Sequence, residues 1–235
     1  RSALHHWDDI EVHFRGATIR SGGHGFSGIG RQRLLSILQA RCRALGVALH
    51  FERETSTDLE TAVRDGAFDL VIAADGVNSR IRERFAATYA PDTDLRLCRY
   101  IWLGTPRPFD AFTFAFAETP HGWFQAHAYQ FDEGMSTFIV ETPWETWERA
   151  GLDSMDDVAA RAYCAQLFPE VLGDAPLLSN APHLTGPQQW IRFPRITCAE
   201  WVHWLPGAKR RVPVVLLGDA AHTAHFSIGS GTKLA

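Results

Sequence analysis

The sequence predicts a mixed α/β fold, of the α+β kind, in which an antiparallel sheet interrupts a parallel one. Two near-continuous apolar runs, at residues 68–74 and 211–217, each end in an acidic turn. Such runs are typical of strands that are buried on both faces of a parallel sheet. Apolar and polar residues instead alternate through much of 96–142, which is typical of antiparallel strands with one solvated face. The predicted parallel pieces are 47–95 and 205–235, and the predicted antiparallel sheet comprises 1–22 and 96–204.

The first third of the chain predicts a hairpin, a loop, a helix and a strand. Alternation over residues 10–20, with Gly16 in the middle, predicts an antiparallel hairpin. A glycine-rich loop follows at 22–30. Apolar residues then recur at steps of three and four, which predicts an amphipathic helix over 31–45 that Gly46 ends. A short strand is expected at 47–51.

Turn residues divide the later part of the chain into further elements. Pro106, Pro108 and the Pro120-His121-Gly122 turn separate the alternating runs, so we expect an antiparallel meander. The string from Ser154 to Asp157 resembles a capping box and predicts a helix that runs to about Phe168. One or two more strands are expected over 190–204.

Composition limits the classes of function. The 235 residues carry 23 basic and 27 acidic side chains, a net charge of −4, which argues against binding nucleic acid or an anionic membrane by bulk charge. No run of 18 apolar residues occurs, which argues against a membrane span. The four cysteines form no C-x-x-C pair, as expected of a reduced, cytoplasmic protein. Eight tryptophans and fifteen phenylalanines predict large apolar surfaces, in the core or around a flat ligand.

Two acidic turns are the candidate ligand-binding motifs. Asp75-Gly76 opens the string DGVNSRIR, and Gly218-Asp219 opens the string GDAAH. Ligands of open α/β sheets gather beyond the carboxyl ends of the strands. Carboxylates in such turns accept hydrogen bonds from sugar or polyol hydroxyls, and the glycines allow a ligand to approach the backbone. The glycines at 229–231 lead into a predicted helix, whose start offers backbone N–H groups to an anionic or electron-rich atom.

These strings, in this order, resemble FAD-dependent aromatic monooxygenases of the p-hydroxybenzoate hydroxylase fold. DGVNSRIR matches the family's D-G-x-x-S-x-x-R element, and GDAAH with the following glycines matches its G-D element. Arg31, Leu34 and Leu38 match its R-x-x-L-x-x-x-L helix. The runs at 22–42 and 216–235 are similar to the branch that hydroxylates aromatic acyl-CoA thioesters. The chain departs from the family after GDAAH, where most members have a proline and this chain has Thr223-Ala224-His225-Phe226.

The resemblance implies a partial FAD-binding, Rossmann-like domain that is interleaved with an antiparallel substrate domain. It assigns 1–22 to a substrate-domain hairpin, 23–95 to FAD binding, 96–204 to the substrate domain and 205–235 to FAD binding. It also implies that the family's strand, G-x-G-x-x-G loop and helix precede Arg1, so we expect the chain to be a piece of a longer protein. The implied reaction hydroxylates an aromatic substrate, possibly CoA-linked, with NAD(P)H and O₂ through a flavin C4a-hydroperoxide, and the flavin carries the chemistry.

The resemblance also implies the roles of individual residues. Asp219 would bind a ribityl hydroxyl of FAD, and Asp75 and Arg31 would lie along its pyrophosphate and ribose. Gly76, Arg82 and Gly218 belong to the same cofactor motifs. Backbone N–H groups near the flavin ring would come from Gly229, Ser230, Gly231, Thr232, Lys233 and Leu234. His24, His225 and Phe226 are weaker candidates for contact with the substrate ring.

Other interpretations of the same residues remain open. The string from Gly23 to Gly28 satisfies G-x-G-x-x-G and could begin a dinucleotide-binding unit, although the strand before it alternates with charges. His222 and His225 could bind a metal, but no third ligand with suitable spacing is visible, so no metal is expected. A flavin halogenase or reductase of the same fold, and a truncated, non-catalytic binding module, are the competing functions.

Overall fold

The computed structural model describes residues 4–53, 59–180 and 183–225, and its chain forms two compact units. The first unit comprises 1–49 and 97–192, and the second comprises 50–96 and 193–235. Each unit is therefore assembled from two separate stretches of the chain.

Thirteen strands and seven helices are assigned in the described part of the chain. The strands are β1 (His5–Trp7), β2 (Ile10–Phe14), β3 (Ala17–Ser21), β4 (Phe26–Gly28), β5 (Val71–Ala73), β6 (Pro91–Thr105), β7 (Phe112–Thr119), β8 (Gly122–Asp132), β9 (Met135–Thr142), β10 (Leu178–Ser179), β11 (Ile191–Cys198), β12 (Val202–Pro206) and β13 (Arg211–Leu216). The helices are α1 (Arg31–Ala44), α2 (Leu59–Arg64), α3 (Arg80–Arg84), α4 (Ala86–Tyr89), α5 (Trp144–Arg149), α6 (Asp157–Leu167) and α7 (Pro169–Leu172).

A large antiparallel meander dominates the first unit. Its strands follow the order β10-β6-β9-β8-β7-β2-β3, and all neighbours on this path are antiparallel except β2 and β7. A short ribbon of β1 and β4 forms a separate antiparallel pair. One face of the meander packs its fully buried Phe124 and Phe138 with Leu152 and Cys164, from the helical segment of the chain. This core explains why Phe124, Ala126 and Ala128 alternate with more polar residues along β8.

A small mixed sheet forms the second unit. Its order is β12-β13-β5, in which β13 is antiparallel to β12 and parallel to β5. Its core includes Val214 of β13 with Val63 and Tyr89 from the neighbouring helices, and all three are fully buried. The hydroxyl of Tyr89 donates to the carbonyl oxygen of Val214 at 2.9 Å, and burial, the main cause, raises the pKa of Tyr89 to about 12.

The predicted hairpin, helix and meander are confirmed. The hairpin pairs β2 with β3 around Gly16, whose φ is +75°. Helix α1 ends just before Gly46, whose φ is +73°. Both strands expected over 190–204 are present as β11 and β12. The predicted mixed α/β class is correct.

Three local predictions were wrong in detail. Residues 47–51 form no strand among the described residues, and no neighbouring strand pairs with them there. The run at 68–74 shortens to β5, and its Ile72 is 56% exposed rather than buried. Helix α6 begins at Asp157 rather than at Ser154, because the carboxylate of Asp156 caps it by accepting from the backbone N–H of Ala159 at 2.8 Å.

The boundaries of the two compact units differ from the domain boundaries that the sequence predicted. Helix α1 groups with the first unit, whereas the prediction assigned 23–95 to FAD binding. Residues 193–204 group with the second unit, whereas the prediction assigned them to the substrate domain. The assignment of either unit to cofactor or substrate stays a prediction. No helix among the described residues is long and apolar enough to span a membrane.

Candidate functional site

The two acidic turns follow neighbouring parallel strands of the second unit. Leu216 of β13 pairs with Ala73 of β5, and the backbone N–H of Leu217 donates to the carbonyl oxygen of Ala73 at 2.9 Å. Parallel strands end at the same edge of a sheet, and this edge is where α/β sheets bind ligands. Asp75 and Asp219 follow the two strand ends within three residues, and both are exposed. The two turns therefore lie at the same end of the paired strands β5 and β13 within this unit.

The glycine in each turn has a conformation that other residues rarely adopt. The φ angles of Gly76 and Gly218 are +82° and +62°. A Cβ atom disfavours positive φ, so a substitution at either position would strain the turn that carries the carboxylate. The positive φ required in each turn thus explains why a glycine stands beside each aspartate.

Asp75 also caps the short helix that follows it. Its Oδ2 accepts from the backbone N–H of Ile81 at 3.3 Å, and Ser79 Oγ accepts from the backbone N–H of Arg82 at 3.0 Å. These two bonds satisfy N–H groups at the start of α3 that have no partner within the helix. Asp75 retains a second carboxylate oxygen and an exposed position, both of which a ligand hydroxyl would need.

Arg82 joins the two turns. Its Nη1 donates to the carbonyl oxygen of Ala220 at 3.0 Å, and its Nη2 donates to that of Val77 at 2.6 Å. The residue is only 6% exposed. A buried guanidinium that bridges two carbonyls holds the chain segments around Asp75 and Asp219 in a fixed relation. The family motif predicted Arg82 as a cofactor residue, and in this structure its hydrogen bonds to Ala220 and Val77 position the turns.

Thr223 anchors the segment after the second turn, and sequence reasoning did not assign it a role. Its Oγ1 donates to the carbonyl oxygen of Pro194 and accepts from the backbone N–H of Ile196, each at 2.8 Å. Its own N–H donates to the carbonyl oxygen of Ile196 at 3.1 Å. Thr223 is buried, and it ties to β11 the start of the stretch where the usual proline is missing. The sequence feature that could have drawn attention to Thr223 was the departure from the family pattern after GDAAH.

An open cleft of about 810 Å³ lies on the second unit beside β5. Its lining includes Leu59, Ile72, Asp75, Asn78 and Arg80. The volume is in the range of small-molecule and cofactor sites. Asp75 therefore stands where a bound group could reach it.

The other predicted site residues are distributed between the first unit and the undescribed part of the chain. Arg31, the first residue of α1, and His24 are exposed and lie in the first unit, where His24 Nε2 is 3.0 Å from Ser21 Oγ. His225 is exposed in the second unit, with its ring centroid 5.2 Å from that of Phe193. Phe226, Gly229, Ser230, Gly231, Thr232, Lys233 and Leu234 lie outside the described residues.

The glycine-rich loop does not begin a dinucleotide-binding unit in this structure. The strand before it, β3, is antiparallel to β2, and a short strand, β4, stands between the loop and α1. A dinucleotide-binding loop instead connects a parallel strand directly to a helix. Gly28 is needed for close packing, because a Cβ there would lie 2.6 Å from the carbonyl oxygen of Gln130.

The alternative of a metal site gains no support from the geometry. Within residues 4–53, 59–180 and 183–225, no group of three or more His, Cys, Asp or Glu side chains is placed to hold a metal ion.

The fold is that of flavin-dependent oxygenases. The structure of 2-methyl-3-hydroxypyridine-5-carboxylic acid oxygenase matches with a TM-score of 0.67 at 18% identity, over 98% of this chain and 61% of that chain. A Pseudomonas aeruginosa protein described as a probable FAD-dependent monooxygenase matches with a TM-score of 0.61 at 14% identity, over 99% and 65%. A flavin-dependent brominase matches with a TM-score of 0.66 at 9% identity, over 99% and 60%. These likenesses confirm the predicted fold.

Curated relatives narrow the resemblance to particular monooxygenases. Salicyloyl-CoA 5-hydroxylase from Streptomyces sp is 42% identical over 98% of this chain and 43% of its own length. The 3-hydroxy-4-methyl-anthranilyl-[aryl-carrier protein] 5-monooxygenase from Streptosporangium sibiricum is 37% identical over 97% and 56%. Protodeoxyviolaceinate monooxygenase from Chromobacterium violaceum is 35% identical over 95% and 56%.

The predicted resemblance to aromatic monooxygenases is thus confirmed. The chain spans about half the length of these relatives. No protein-family model matches it.

Proposed function

We propose that this protein is an FAD-dependent monooxygenase that hydroxylates an aromatic ring carried on a thioester, with NAD(P)H and O₂ as co-substrates. The observation that carries this proposal is the pair of acidic turns at adjacent parallel strand ends, joined by Arg82. Two of the relatives support the substrate class, because their names specify a salicyloyl group on CoA and an anthranilyl group on a carrier protein. Both groups carry a hydroxyl or amino substituent on the ring.

The described residues fit the ribityl and ribose part of FAD. Asp219 is exposed, and its position beyond β13 suits acceptance of a hydrogen bond from a ribityl hydroxyl. Asp75, beyond β5, would accept from a hydroxyl on the ribose side, and Arg31 would pair with the pyrophosphate. Gly76 and Gly218 let the backbone approach the cofactor, and the predicted N–H groups of 229–234 would face the flavin ring.

The protein's own contribution is therefore binding, orientation and exclusion of water. When bound, FAD supplies the redox and oxygen chemistry, so no side-chain nucleophile is required. Arg82 and Thr223 hold the segments around Asp75 and Asp219 in place, so that the carboxylates meet the cofactor without reorganisation. His24, His225 and Phe226 stay proposals for contact with the substrate ring. None of the four cysteines, all of which the structure describes, forms a disulfide, and this supports a cytoplasmic location, which we propose as well.

The experiment uses the full-length protein and the variants Asp219→Ala and Asp69→Ala. Asp69 is the matched control, because its carboxylate lies in the same unit, is 87% exposed and pairs only at the surface with Arg210. Wild type and Asp69→Ala should purify with the flavin absorbance band, and Asp219→Ala should lose most of it. Unchanged flavin content in Asp219→Ala would remove Asp219 from the site.

Product analysis then tests the reaction. Wild type supplied with NADPH, O₂ and salicyloyl-CoA or 2-aminobenzoyl-CoA should form a product that is one oxygen atom heavier. Addition of bromide separates the competing halogenase, since a brominated product would overturn the hydroxylase assignment. Full-length protein that binds no FAD would support the competing function of a non-catalytic binding module.

A further inference from the structure

The meander of the first unit has a second face, which is aromatic. Side chains alternate along a strand, so the face opposite the helix-covered core carries Phe114 and Phe116 of β7. At one end of this face the ring of Phe14 stacks on that of Trp123, with centroids 5.6 Å apart. The ring of Phe14 also meets Phe116 edge-on at 6.0 Å.

Polar side chains interrupt this aromatic face. Gln125 pairs with Glu141 across β8 and β9, and Tyr100 of β6 pairs with Glu141 from the other side, so all three share the face. His127, two residues after Gln125, is 1% exposed, and its Nε2 contacts the side-chain nitrogen of Gln125. Carboxylate and imidazole groups are rarely placed among aromatic rings without a binding or structural task.

Glu141 is the charged member of this group. Its Oε2 is 3.9 Å from His127 Nε2, which is within electrostatic range but longer than a hydrogen bond. The negative charge of Glu141 adds to burial in raising the pKa of Tyr100. The side chain of Glu141 is 15% exposed, so its carboxylate is shielded from bulk water and still reachable.

Glu141 is one of the residues that line a cleft of about 380 Å³. Phe14, Phe116 and Trp123 line it with aromatic rings, and Gln125, Glu141 and Cys98 complete the lining. All six residues belong to the first unit. The volume lies within the range of small-ligand sites, and a single aromatic ring with one substituent fits it.

We propose that this cleft binds an aromatic ring and that Glu141 accepts a hydrogen bond from a hydroxyl or amino group on that ring. Aromatic walls favour a flat apolar body, which stacks on them or meets them edge-on. An ionised carboxylate is purely an acceptor, so the matching ligand group is an O–H or N–H donor. A ring without such a donor would displace water from Glu141 without forming a hydrogen bond to it. Such a ring should bind more weakly than a ring with a donor, and this difference in affinity provides selectivity. Glu141 would thereby select the ring substituent within the proposed substrate class, so this role rests on the proposed function.

The test compares ligands that differ in a single group. Dissociation constants for salicyloyl-CoA, 2-methoxybenzoyl-CoA and benzoyl-CoA are measured on the full-length protein by quenching of tryptophan fluorescence, a readout that does not require flavin turnover. A hydrogen bond to a buried carboxylate should make salicyloyl-CoA bind about tenfold more tightly than benzoyl-CoA. The methoxy compound, which keeps the oxygen but cannot donate, should bind no better than benzoyl-CoA. Equal binding of the hydroxy and methoxy compounds would overturn the proposal without any variant.

Two variants then locate the effect. Glu141→Gln should bring the preference for the hydroxylated ring to about threefold or less, since a neutral amide accepts more weakly than a carboxylate. Glu118→Gln is the matched control, because Glu118 lies in the same sheet on β7, is 54% exposed and pairs with Arg15. It should keep the wild-type preference. A Glu141→Gln protein that keeps the full preference would overturn the role of Glu141.

The flavin and product assays keep the two proposals separate. Wild type that lacks FAD or forms no hydroxylated product contradicts the proposed function, whatever the fluorescence shows. Wild type that binds FAD and forms product, with an unchanged ligand preference in Glu141→Gln, contradicts only the assignment to Glu141.

Discussion

Replacement of Arg82 by methionine should strongly destabilise the protein, because its guanidinium is buried and joins the two acidic turns. The change removes the hydrogen bonds to the carbonyl oxygens of Ala220 and Val77 and leaves both oxygens without this donor. Hydrogen bonds from a charged donor contribute about 1.5–3 kcal/mol each to stability. Methionine removes the cost of burying a charge and fills much of the space, which offsets part of the loss. We therefore expect the free energy of unfolding to fall by about 3 kcal/mol.

The matched control is Arg84→Met on the same helix. The guanidinium of Arg84 pairs with Glu60 at 2.7 Å, but the side chain of Arg84 is 37% exposed. Exposed ion pairs contribute about 0–1 kcal/mol, so this variant should stay close to wild type. Urea unfolding of the full-length protein, followed by fluorescence, gives both free energies, and flavin absorbance gives FAD retention. Equal losses in the two variants would refute the claim that Arg82 fixes the two turns.

Three further predictions follow from named contacts. Thr223→Val should lower the free energy of unfolding by about 1–3 kcal/mol in urea, because two backbone groups of the chain near β11 lose their partner; a loss within error of zero would contradict its anchoring role. Gly28→Ala should lower the melting temperature in a thermal scan, since the new Cβ would lie 2.6 Å from the carbonyl oxygen of Gln130, and an unchanged melting temperature would contradict this packing. The pKa of Tyr89 is raised to about 12 in the folded state, so its neutral form stabilises the protein below the unfolded pKa of about 10, and this contribution is lost as the pH rises towards 12. Unfolding between about pH 8 and pH 11 should therefore show a steeper loss of stability above about pH 10 in wild type than in Tyr89→Phe, and parallel curves would contradict the shift.

Local sequence patterns predicted the acidic turns because each turn directly follows its own strand. The apolar run before Asp75 and the run before Asp219 both indicate strands that end in a turn, and parallel strands bring their ends to one edge. The spacing of apolar residues likewise predicted helix α1 and the meander. In the meander, apolar and polar residues alternate because one face of the sheet is covered by the core and the other is open. Periodicity therefore sufficed wherever the structure depends on neighbours in the chain.

Such local patterns could not predict contacts between residues that are far apart in the sequence. Arg82 was matched to a family motif, but its bond to Ala220 spans 138 positions. Thr223 finds its partners in β11, 27 and 29 positions earlier. The aromatic stripe of β7 was visible in the sequence, whereas the placement of Glu141 among those rings depends on the register of β8 and β9.

The shortness of β5 has a similar cause. An apolar run indicates a strand, but the number of neighbours that the strand finds depends on the order of strands in the sheet. In the described residues β5 pairs on one side with β13 and stands at the edge on the other. The absence of a strand at 47–51 has the same explanation, since a strand needs a pairing partner.

The interleaving of the second unit has a consequence for biosynthesis. Its strand β5 is made early, yet the strand that it pairs with, β13, leaves the ribosome only after the whole meander has been translated. Until then β5 lacks its partner β13, a condition that favours association between nascent chains and recruits chaperones. Slower translation of the stretch between the two strands would therefore prolong that vulnerable interval and lower the yield of native protein.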